Sequence, residues 1–339
     1  MTDQHLLGPF VRRFLLEELI RDHNLSLNTQ RSYRDTLRLL FNFMDQRHHT
    51  APAQVTVEQL TAQLIRAFLA YLEQERGNVV ATRNQRLAAL HAFFHFVSRL
   101  VPELVAQTTE IQAIPPRRAL APAMAYLEKH ESEALLAVPQ RQRPQGRRDY
   151  ALLLFLYNTG ARASEVAGVT IGALSLGITP SVRLLGKGRK TRTCPLWPHT
   201  ADTLRELLGS RLGGPGTAPV FLNVRGQPIT RFGIYKLVVR NVAKAAPTTS
   251  SLRGRTISPH SLRHTTAVHL LRAGVDINTI RAWLGHVSLE TTNRYAEADL
   301  QMKAKALESC AIHDNGKAAQ ARTPLWRKDT ELMSFLASL

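Results

Sequence analysis

The sequence predicts a mainly α-helical chain of two domains, with one small β-hairpin or sheet in the second domain. Apolar residues recur at helical spacing from about residue 10 to 105. A segment with three prolines, Ile114–Ala123, then interrupts the pattern as a linker would. One pair of short β-prone runs surrounds Gly186-Lys187-Gly188. The predicted division is a helical domain over 1–113, a linker over 114–123, a second domain over 124–310 and a tail over 311–339.

The composition of the chain indicates which kind of molecule it binds. The chain has 339 residues and a formal net charge of +18, and so basic a protein usually binds a polyanion, with nucleic acid the first candidate. A membrane surface is the alternative, but the basic residues are not gathered on one amphipathic helix and no apolar run is long enough to span a bilayer. No signal peptide is visible, and Cys194 and Cys310 have no disulfide or zinc spacing. We therefore expect a cytoplasmic protein, associated with a bacterial nucleoid, and no membrane partner.

The first domain reads as a helical bundle with arginines near several helix starts. In SLNTQRSYRDTLRLLFNFM, apolar residues form one helix side and arginines lie on another. A similar pattern occurs in ATRNQRLAALHAFFHFV. These arginines are either solvated surface or phosphate contacts, and the overall charge favours phosphate contacts for the set. The predicted contacts are Arg31, Arg34, Arg83 and Arg86.

The hairpin in the second domain also carries basic residues. In VRLLGKGRKTRTCPL, glycines flank Lys187, so the backbone can approach a ligand while the lysine projects from the turn. A solvated basic turn is the alternative. The further phosphate contacts predicted here are Arg189, Lys190 and Arg192.

The motif NTGARASEVAGV places an arginine at a helix start. Arg162 follows Thr159-Gly160, and Glu165 lies one turn further on, where its carboxylate can orient the guanidinium. An oriented arginine can bind a phosphate through two parallel hydrogen bonds. A surface ion pair is the alternative.

The stretch PHSLRHTTAVHLL begins another helix. Ser258 is a good N-cap and Pro259 suits the first helical position, so His260 and Arg263 lie near an N-terminus that favours anions. His260 and His264 also have the spacing of a zinc helix. However, the position of the general base in that motif holds a serine, and the charge of Arg263 opposes a cation. A phosphate site is favoured over a metal site, and solvated surface histidines are the third interpretation.

Two further motifs follow. In INTIRAWLGH, Asp276 caps a helix, Gly285 ends it, and His286 comes directly after. Tyr295 follows His286 by nine residues.

Taken in this order and spacing, the motifs resemble the catalytic domain of the tyrosine recombinases, or phage-type integrases, which include the Xer and integron enzymes. The resemblance covers about Ala119 to Glu308, and the N-terminal bundle resembles the SAM-like core-binding domain of the family through its NTQRSY start. The resemblance implies a two-domain, C-shaped clamp on DNA. It also implies six catalytic residues, which are Arg162, Lys187, His260, Arg263, His286 and Tyr295. Glu165 and His264 would support these residues without reacting themselves.

The resemblance also implies roles. The two arginines would hold the scissile phosphate, while His260 and His286 would supply hydrogen bonds to it or, for His260, accept the tyrosine proton. Lys187 would protonate the leaving 5′ oxygen, and Tyr295 would attack to form a 3′-phosphotyrosine. No metal, ATP or other cofactor is expected.

The partners implied are double-stranded DNA with an inverted-repeat recombination site, three further copies of the chain in a homo-tetramer, and related recombinases. A type IB topoisomerase is one alternative, since it shares this catalytic set. A catalytically silent DNA-binding accessory protein is another, although the presence of all six residues argues against it. The tail carries an apolar stripe that predicts a docking helix, on its own domain or on a neighbouring one, formed by Leu332, Phe335, Leu336 and Leu339.

Overall fold

A computed structural model describes residues 5–118, 124–186, 188 and 190–285. The chain divides into two compact units, Met1–Ala123 and Met124–Leu339, and each has its own apolar core. The described residues are mainly helical with one small sheet, which confirms the predicted fold class. In the described part of the chain, no helix is both long and apolar enough to cross a membrane.

The first unit is a bundle of helices around a phenylalanine-rich core. Ser26 and Thr61 cap two of its helices through side-chain oxygens, as their residue types favour. Ile114 lies in the predicted linker but is only 2% exposed and packs in this core. The helices are α1 Leu7–Arg13, a π-helix Phe14–Asp22, α2 Leu27–His48, α3 Ala62–Gln74, α4 Val80–Leu100, a 3-10 turn Pro102–Leu104 and α5 Val105–Gln112.

The second unit combines helices with one small sheet. The helices are α6 Lys129–Ala137, α7 Pro144–Thr159, α8 Ala163–Ala167, α9 Pro198–Leu208, α10 Arg231–Ala245, α11 Pro259–Arg272 and α12 Ile277–Leu284, with 3-10 turns at Ile171–Ala173, Gly209–Gly213 and Ser250–Leu252. The strands are β1 Leu174–Ser175, β2 Ser181–Leu185 and β3 Thr191–Pro195.

The sheet is antiparallel in the order β1-β2-β3. Strands β2 and β3 form the predicted hairpin, with Leu184 opposite Arg192, whereas the short β1 was not predicted. Leu184 and Cys194 are buried and Arg183 is exposed, so the two sheet faces differ as alternation requires.

Helix α11 packs against α7 in the interior of the second unit. Leu262, Ala267 and Val268 are all at most 2% exposed, so residues on several sides of α11 are buried. The enclosure extends to Arg263, which neighbouring segments cover and which is 1% exposed.

Candidate active site

Arg162 lies in the turn between α7 and α8. Gly160 ends α7 with a left-handed φ of 58°, and Arg162 is the residue before α8. Its Nη1 donates to Oε1 of Glu165 at 2.8 Å, and its backbone N–H donates to Oε2 at 2.8 Å. The Arg162 side chain is still 37% exposed. The carboxylate of Glu165 therefore orients the guanidinium of Arg162, which remains accessible to a ligand that enters from solvent.

Glu165 is buried between two arginines. Its side chain is 2% exposed and accepts a bidentate pair of hydrogen bonds from Arg192, Nη1 to Oε1 at 2.9 Å and Nη2 to Oε2 at 2.7 Å. Burial alone would raise the pKa of Glu165. The hydrogen bonds and charges of Arg192 and Arg162 outweigh burial and hold that pKa below its usual value. The carboxyl group is therefore ionised at neutral pH.

Arg192 is placed differently from the sequence-based expectation. We expected a surface residue that contacts phosphate, but its side chain is 10% exposed and turned into the protein. Besides Glu165, its Nε donates to the carbonyl oxygen of Trp283 at 2.8 Å. The alternation of β3 explains the difference, because Arg192 lies opposite buried Leu184 and points to the inner face. The guanidinium of Arg192 therefore binds protein atoms, whereas we expected it to bind a DNA phosphate.

The start of α11 is built by capping. Ser258 Oγ accepts the backbone N–H of His260 at 3.2 Å and of Ser261 at 3.4 Å, and Pro259 occupies the first helical position. This geometry places His260 in the first turn, with an exposed side chain.

Arg263 lies one turn further along α11 and is almost fully enclosed. Its Nη1 donates to the carbonyl oxygen of Gly160 at 2.7 Å, and its Nη2 donates to that of Leu284 at 2.5 Å. The side chain thus joins the end of α7 to the end of α12. Both ends carry partial negative charge from carbonyl groups, which a cation stabilises.

The three described members of the predicted catalytic set border one open pocket. The pocket has a volume of about 660 Å³ and lies within the second unit. Arg162, His260 and Arg263 line it, so two cations and an imidazole converge from the turn before α8 and from α11. This arrangement provides several hydrogen-bond donors for one anion.

The surroundings of His260 lower the pKa of its imidazole. Although the side chain reaches solvent, the surrounding protein removes part of its hydration, and the charges of Arg263 and Arg162 add to that effect. All three causes lower the pKa of His260 below its usual value. His264 lies beside it, with ring centroids 4.3 Å apart in an edge-to-face contact. Among the residues that the structure describes, no group of three or more His, Cys, Asp or Glu side chains could hold a metal ion.

Four predicted residues lie outside the described ones, namely Lys187, Arg189, His286 and Tyr295. Their described neighbours do reach the site. A Cβ placed on Gly186 would lie 3.4 Å from Oε1 of Glu165, and one on Gly285 would lie 3.0 Å from Cδ of Arg192. The chain therefore passes close to the Arg192–Glu165 pair immediately before Lys187 and again before His286. The predicted tail, 311–339, also lies outside the described residues.

The remaining predicted phosphate contacts differ in exposure. Arg31, Arg34 and Lys190 are exposed, and Arg34 also pairs with Asp35 at 2.8 Å. Arg86 is partly buried, with Nη1 donating to the carbonyl oxygen of Ser32 at 2.9 Å.

Arg83 does not lie on the surface as expected. It is 6% exposed, and its Nη1 donates to the carbonyl oxygen of Pro115 at 3.3 Å. The chain following α5 covers it, which a helical repeat within α4 could not reveal.

Three residues that line the pocket from another helix were not among the predicted site residues. Arg231, Phe232 and Tyr235 line it from the first two turns of α10, and all three are exposed. The rings of Phe232 and Tyr235 are stacked with centroids 6.4 Å apart. The available signal was Thr230, a helix cap followed at once by a basic and an aromatic residue.

Models of known protein families match segments of both units. The model of the phage integrase family matches residues 125–302, and that of the phage integrase N-terminal SAM-like domain matches residues 12–99. A protein of Sinorhizobium fredii that carries the name integrase/recombinase y4rC is 38% identical over 340 residues, the full length of both chains. Tyrosine recombinase XerC of Pelobacter propionicus is 34% identical over 290 residues, which are 86% of this chain and 91% of that one.

Solved structures share the fold at low sequence identity. The XerH site-specific recombinase bound to its difH substrate gives a TM-score of 0.63 at 23% identity, covering 84% of this chain and 80% of that chain. The integrase of transposon Tn1549 in complex with transposon right end DNA gives 0.67 at 19% identity, covering 89% and 99%. The two family matches and the relatives of 38% and 34% identity show that the chain belongs to the phage integrase family and is a tyrosine-type site-specific recombinase.

Proposed function

We propose that this recombinase cuts and rejoins DNA through a covalent 3′-phosphotyrosine intermediate and a Holliday junction, without metal or ATP. One observation carries the proposal. Arg162, His260 and Arg263 converge on one open pocket, which suits the non-bridging oxygens of a phosphodiester.

Double-stranded DNA is the substrate that the charge favours. The chain carries a formal net charge of +18, and duplex DNA releases condensed counterions when cations neutralise its phosphates. The XerH structure is a complex with its difH substrate, and the Tn1549 integrase structure is a complex with transposon right end DNA. We infer that this chain binds an inverted-repeat site as a homo-tetramer, because an exchange of strands between two duplexes needs four nucleophiles.

In the first step, the phenolic oxygen of Tyr295 attacks the scissile phosphorus. A new O–P bond forms, the P–O5′ bond breaks, and the 5′ oxygen takes a proton from Lys187. The guanidinium groups of Arg162 and Arg263 stabilise the charge that develops on the non-bridging oxygens. Glu165 keeps Arg162 in the required orientation through the two 2.8 Å hydrogen bonds.

The two histidines, His260 and His286, donate hydrogen bonds to the phosphate, and His260 can also accept a proton. Because its pKa is lowered, His260 is neutral at pH 7 and has one N–H donor and one acceptor nitrogen. It can donate to a phosphate oxygen or accept the proton that Tyr295 loses. His286 supplies a further donor to the phosphate.

Rejoining reverses this chemistry. A 5′ hydroxyl from the partner duplex attacks the phosphotyrosine, the Tyr295–phosphate bond breaks, and the tyrosine regains a proton. The number of phosphodiester bonds is unchanged, so no ATP is consumed. Exchange of one pair of strands produces a Holliday junction, and exchange of the second pair resolves it.

The test is trapping of the covalent intermediate. A nicked duplex that loses the short 5′-hydroxyl fragment cannot be religated, so the parent protein should accumulate a protein–DNA adduct on a denaturing gel, in EDTA as well as without it. Tyr295→Phe should bind the same duplex and form no adduct. Tyr71→Phe, on α3 of the first unit, is the matched control and should behave like the parent.

An adduct from Tyr295→Phe would contradict the assignment of the nucleophile, and loss of the adduct in EDTA would contradict the metal-free step. Formation of a Holliday junction from two sites separates recombination from the relaxation of supercoils that a type IB topoisomerase carries out.

A further inference from the structure

The buried pair of Arg192 and Glu165 contacts three chain segments that are far apart in sequence. Each segment leads directly into one residue of the proposed catalytic set. The pair is therefore placed to coordinate residues that no single element could hold together.

The first segment is the start of α8. Glu165 accepts hydrogen bonds from the backbone and the guanidinium of Arg162, both at 2.8 Å, while Arg192 binds both oxygens of the same carboxylate. Without Arg192, the buried carboxylate would keep, among the residues that the structure describes, its bonds to Arg162. With its second guanidinium partner lost, Glu165 would draw the guanidinium of Arg162 toward itself and away from the pocket.

The second segment is the end of strand β2. Gly186 lies against the ion pair, since a Cβ on it would be 3.4 Å from Oε1 of Glu165 and 3.8 Å from Nη1 of Arg192. Gly186 also donates its backbone N–H to the carbonyl oxygen of Lys190 at 2.8 Å, which closes the hairpin. The next residue in the chain is Lys187.

The third segment is the end of α12. Nε of Arg192 donates to the carbonyl oxygen of Trp283 at 2.8 Å, one residue before the carbonyl that Arg263 binds. Gly285 packs on the Arg192 side chain, since a Cβ there would be 3.0 Å from Cδ and 3.3 Å from Nη1. The next residue in the chain is His286.

We propose that Arg192 is a positioning residue for strand cleavage, holding the segments that carry Arg162, Lys187 and His286 in one arrangement. The inference rests on the proposed function and goes beyond the phosphate-binding pocket. Only arginine meets the geometry, because its planar group donates from Nε, Nη1 and Nη2 at once, whereas lysine donates from one point. A misplacement of about 1 Å at a reacting group can cost about 100-fold in rate.

The experiment compares Arg192→Lys with the parent on two nicked duplexes. One duplex has the natural 5′ bridging oxygen at the scissile phosphate, and the other has sulfur in that position. A thiol has a pKa of about 8.5, so the P–S bond can break without a proton from Lys187. The measurements are the rate of adduct formation on each duplex, the affinity for a single uncut site, and the thermal unfolding midpoint.

We expect Arg192→Lys to bind the uncut site like the parent and to form the adduct about 100-fold more slowly on the oxygen duplex. On the sulfur duplex its deficit should shrink at least about tenfold, because the misplaced general acid is no longer needed. Arg183→Lys, at an exposed position of the neighbouring strand β2, is the matched control and should resemble the parent on both duplexes.

The ratio of the two rates is insensitive to partial unfolding, because unfolded protein lowers both rates equally. An equal deficit on the two duplexes, or no deficit, would overturn the positioning role. A parent protein that forms no adduct on either duplex would instead overturn the proposed function, and the role of Arg192 with it.

Discussion

At the residue scale, two arginines that line the pocket, Arg162 and Arg263, have different surroundings. Arg162 is 37% exposed and held by one carboxylate, whereas Arg263 is 1% exposed and binds two carbonyl oxygens of the protein. The same residue type thus serves the pocket in both cases, but only Arg263 also joins helix ends. Its removal should affect folding as well as chemistry.

We predict that Arg162→Ala and Arg263→Ala each slow adduct formation by about 100- to 1,000-fold, since each removes a donor to developing negative charge. Arg263→Ala should also lower the free energy of unfolding by about 2 to 4 kcal/mol, because two buried carbonyl groups lose their partners. Arg162→Ala should cost about 1 kcal/mol or less. Urea unfolding of both variants provides the measurement. Equal stability of the two variants would show that the carbonyl contacts of Arg263 do not stabilise the fold.

A second residue-scale prediction concerns His260. Partial loss of hydration and the charges of Arg263 and Arg162 lower its pKa, so the ring should titrate below the usual histidine value of about 6.5 in NMR spectra of the free protein. Arg162→Gln removes one of the two charges and should raise the pKa of His260 toward that value. A parental pKa at or above the usual value would refute this description of the pocket.

At the element scale, the junction of α7 with α12 depends on a glycine. Gly160 has a φ of 58°, and a Cβ on it would lie 2.5 Å from Cδ2 of Leu284. Leu284 is fully buried and its carbonyl oxygen is a partner of Arg263. The turn that places Arg162 and the end of α12 that precedes His286 are therefore in direct contact.

We predict that Gly160→Ala destabilises the protein by more than the backbone cost alone, which is about 1 to 2 kcal/mol for a left-handed residue. Gly274→Ala is the matched control, because Gly274 follows α11 with a φ of 84°, and a Cβ placed on it would meet no atom of the described residues within 4 Å beyond its chain neighbours. The difference between the two losses, measured by urea unfolding, reports the close approach to Leu284. Equal losses would mean that Leu284 moves aside without cost.

At the scale of the whole molecule, the strand exchange that we propose requires several copies to act together. The apolar stripe of the tail lies outside the described residues, and its spacing predicts a helix too short to be stable alone. Such a helix should dock, either on its own catalytic domain or on that of a neighbouring copy.

We predict that deleting Asp329–Leu339 leaves binding to a single site intact and reduces the yield of recombination between two sites. Gel-shift affinity on one site and product yield on two sites are the measurements. The double variant Glu331→Ala, Ser334→Ala, which leaves the apolar stripe intact, is the control. Parental yield from the truncated protein would exclude a coupling role, and loss of single-site binding would indicate that the tail folds back on its own domain.

Local signals in the sequence were sufficient for most elements of this fold. Caps, turn residues and apolar spacing act within a few residues, so the starts of α11 and α12 at Ser258 and Asp276 and the hairpin around Gly186–Gly188 could be predicted. The order of the motifs from Arg162 to Tyr295 was also sufficient to indicate the family, because several weak motifs in one order are jointly specific.

Only the tertiary structure decided which basic side chains face inward. Arg192 meets Glu165 across 27 residues and Trp283 across 91, and Arg263 meets Gly160 across 103. A sequence pattern describes the period of one element and does not state which carbonyl or carboxylate another element brings opposite it. For a charged side chain, that opposing group determines whether burial is tolerated. The sequence by itself therefore determined the elements and the family, and packing between distant segments decided that Arg192 is turned inward against Glu165 and Trp283.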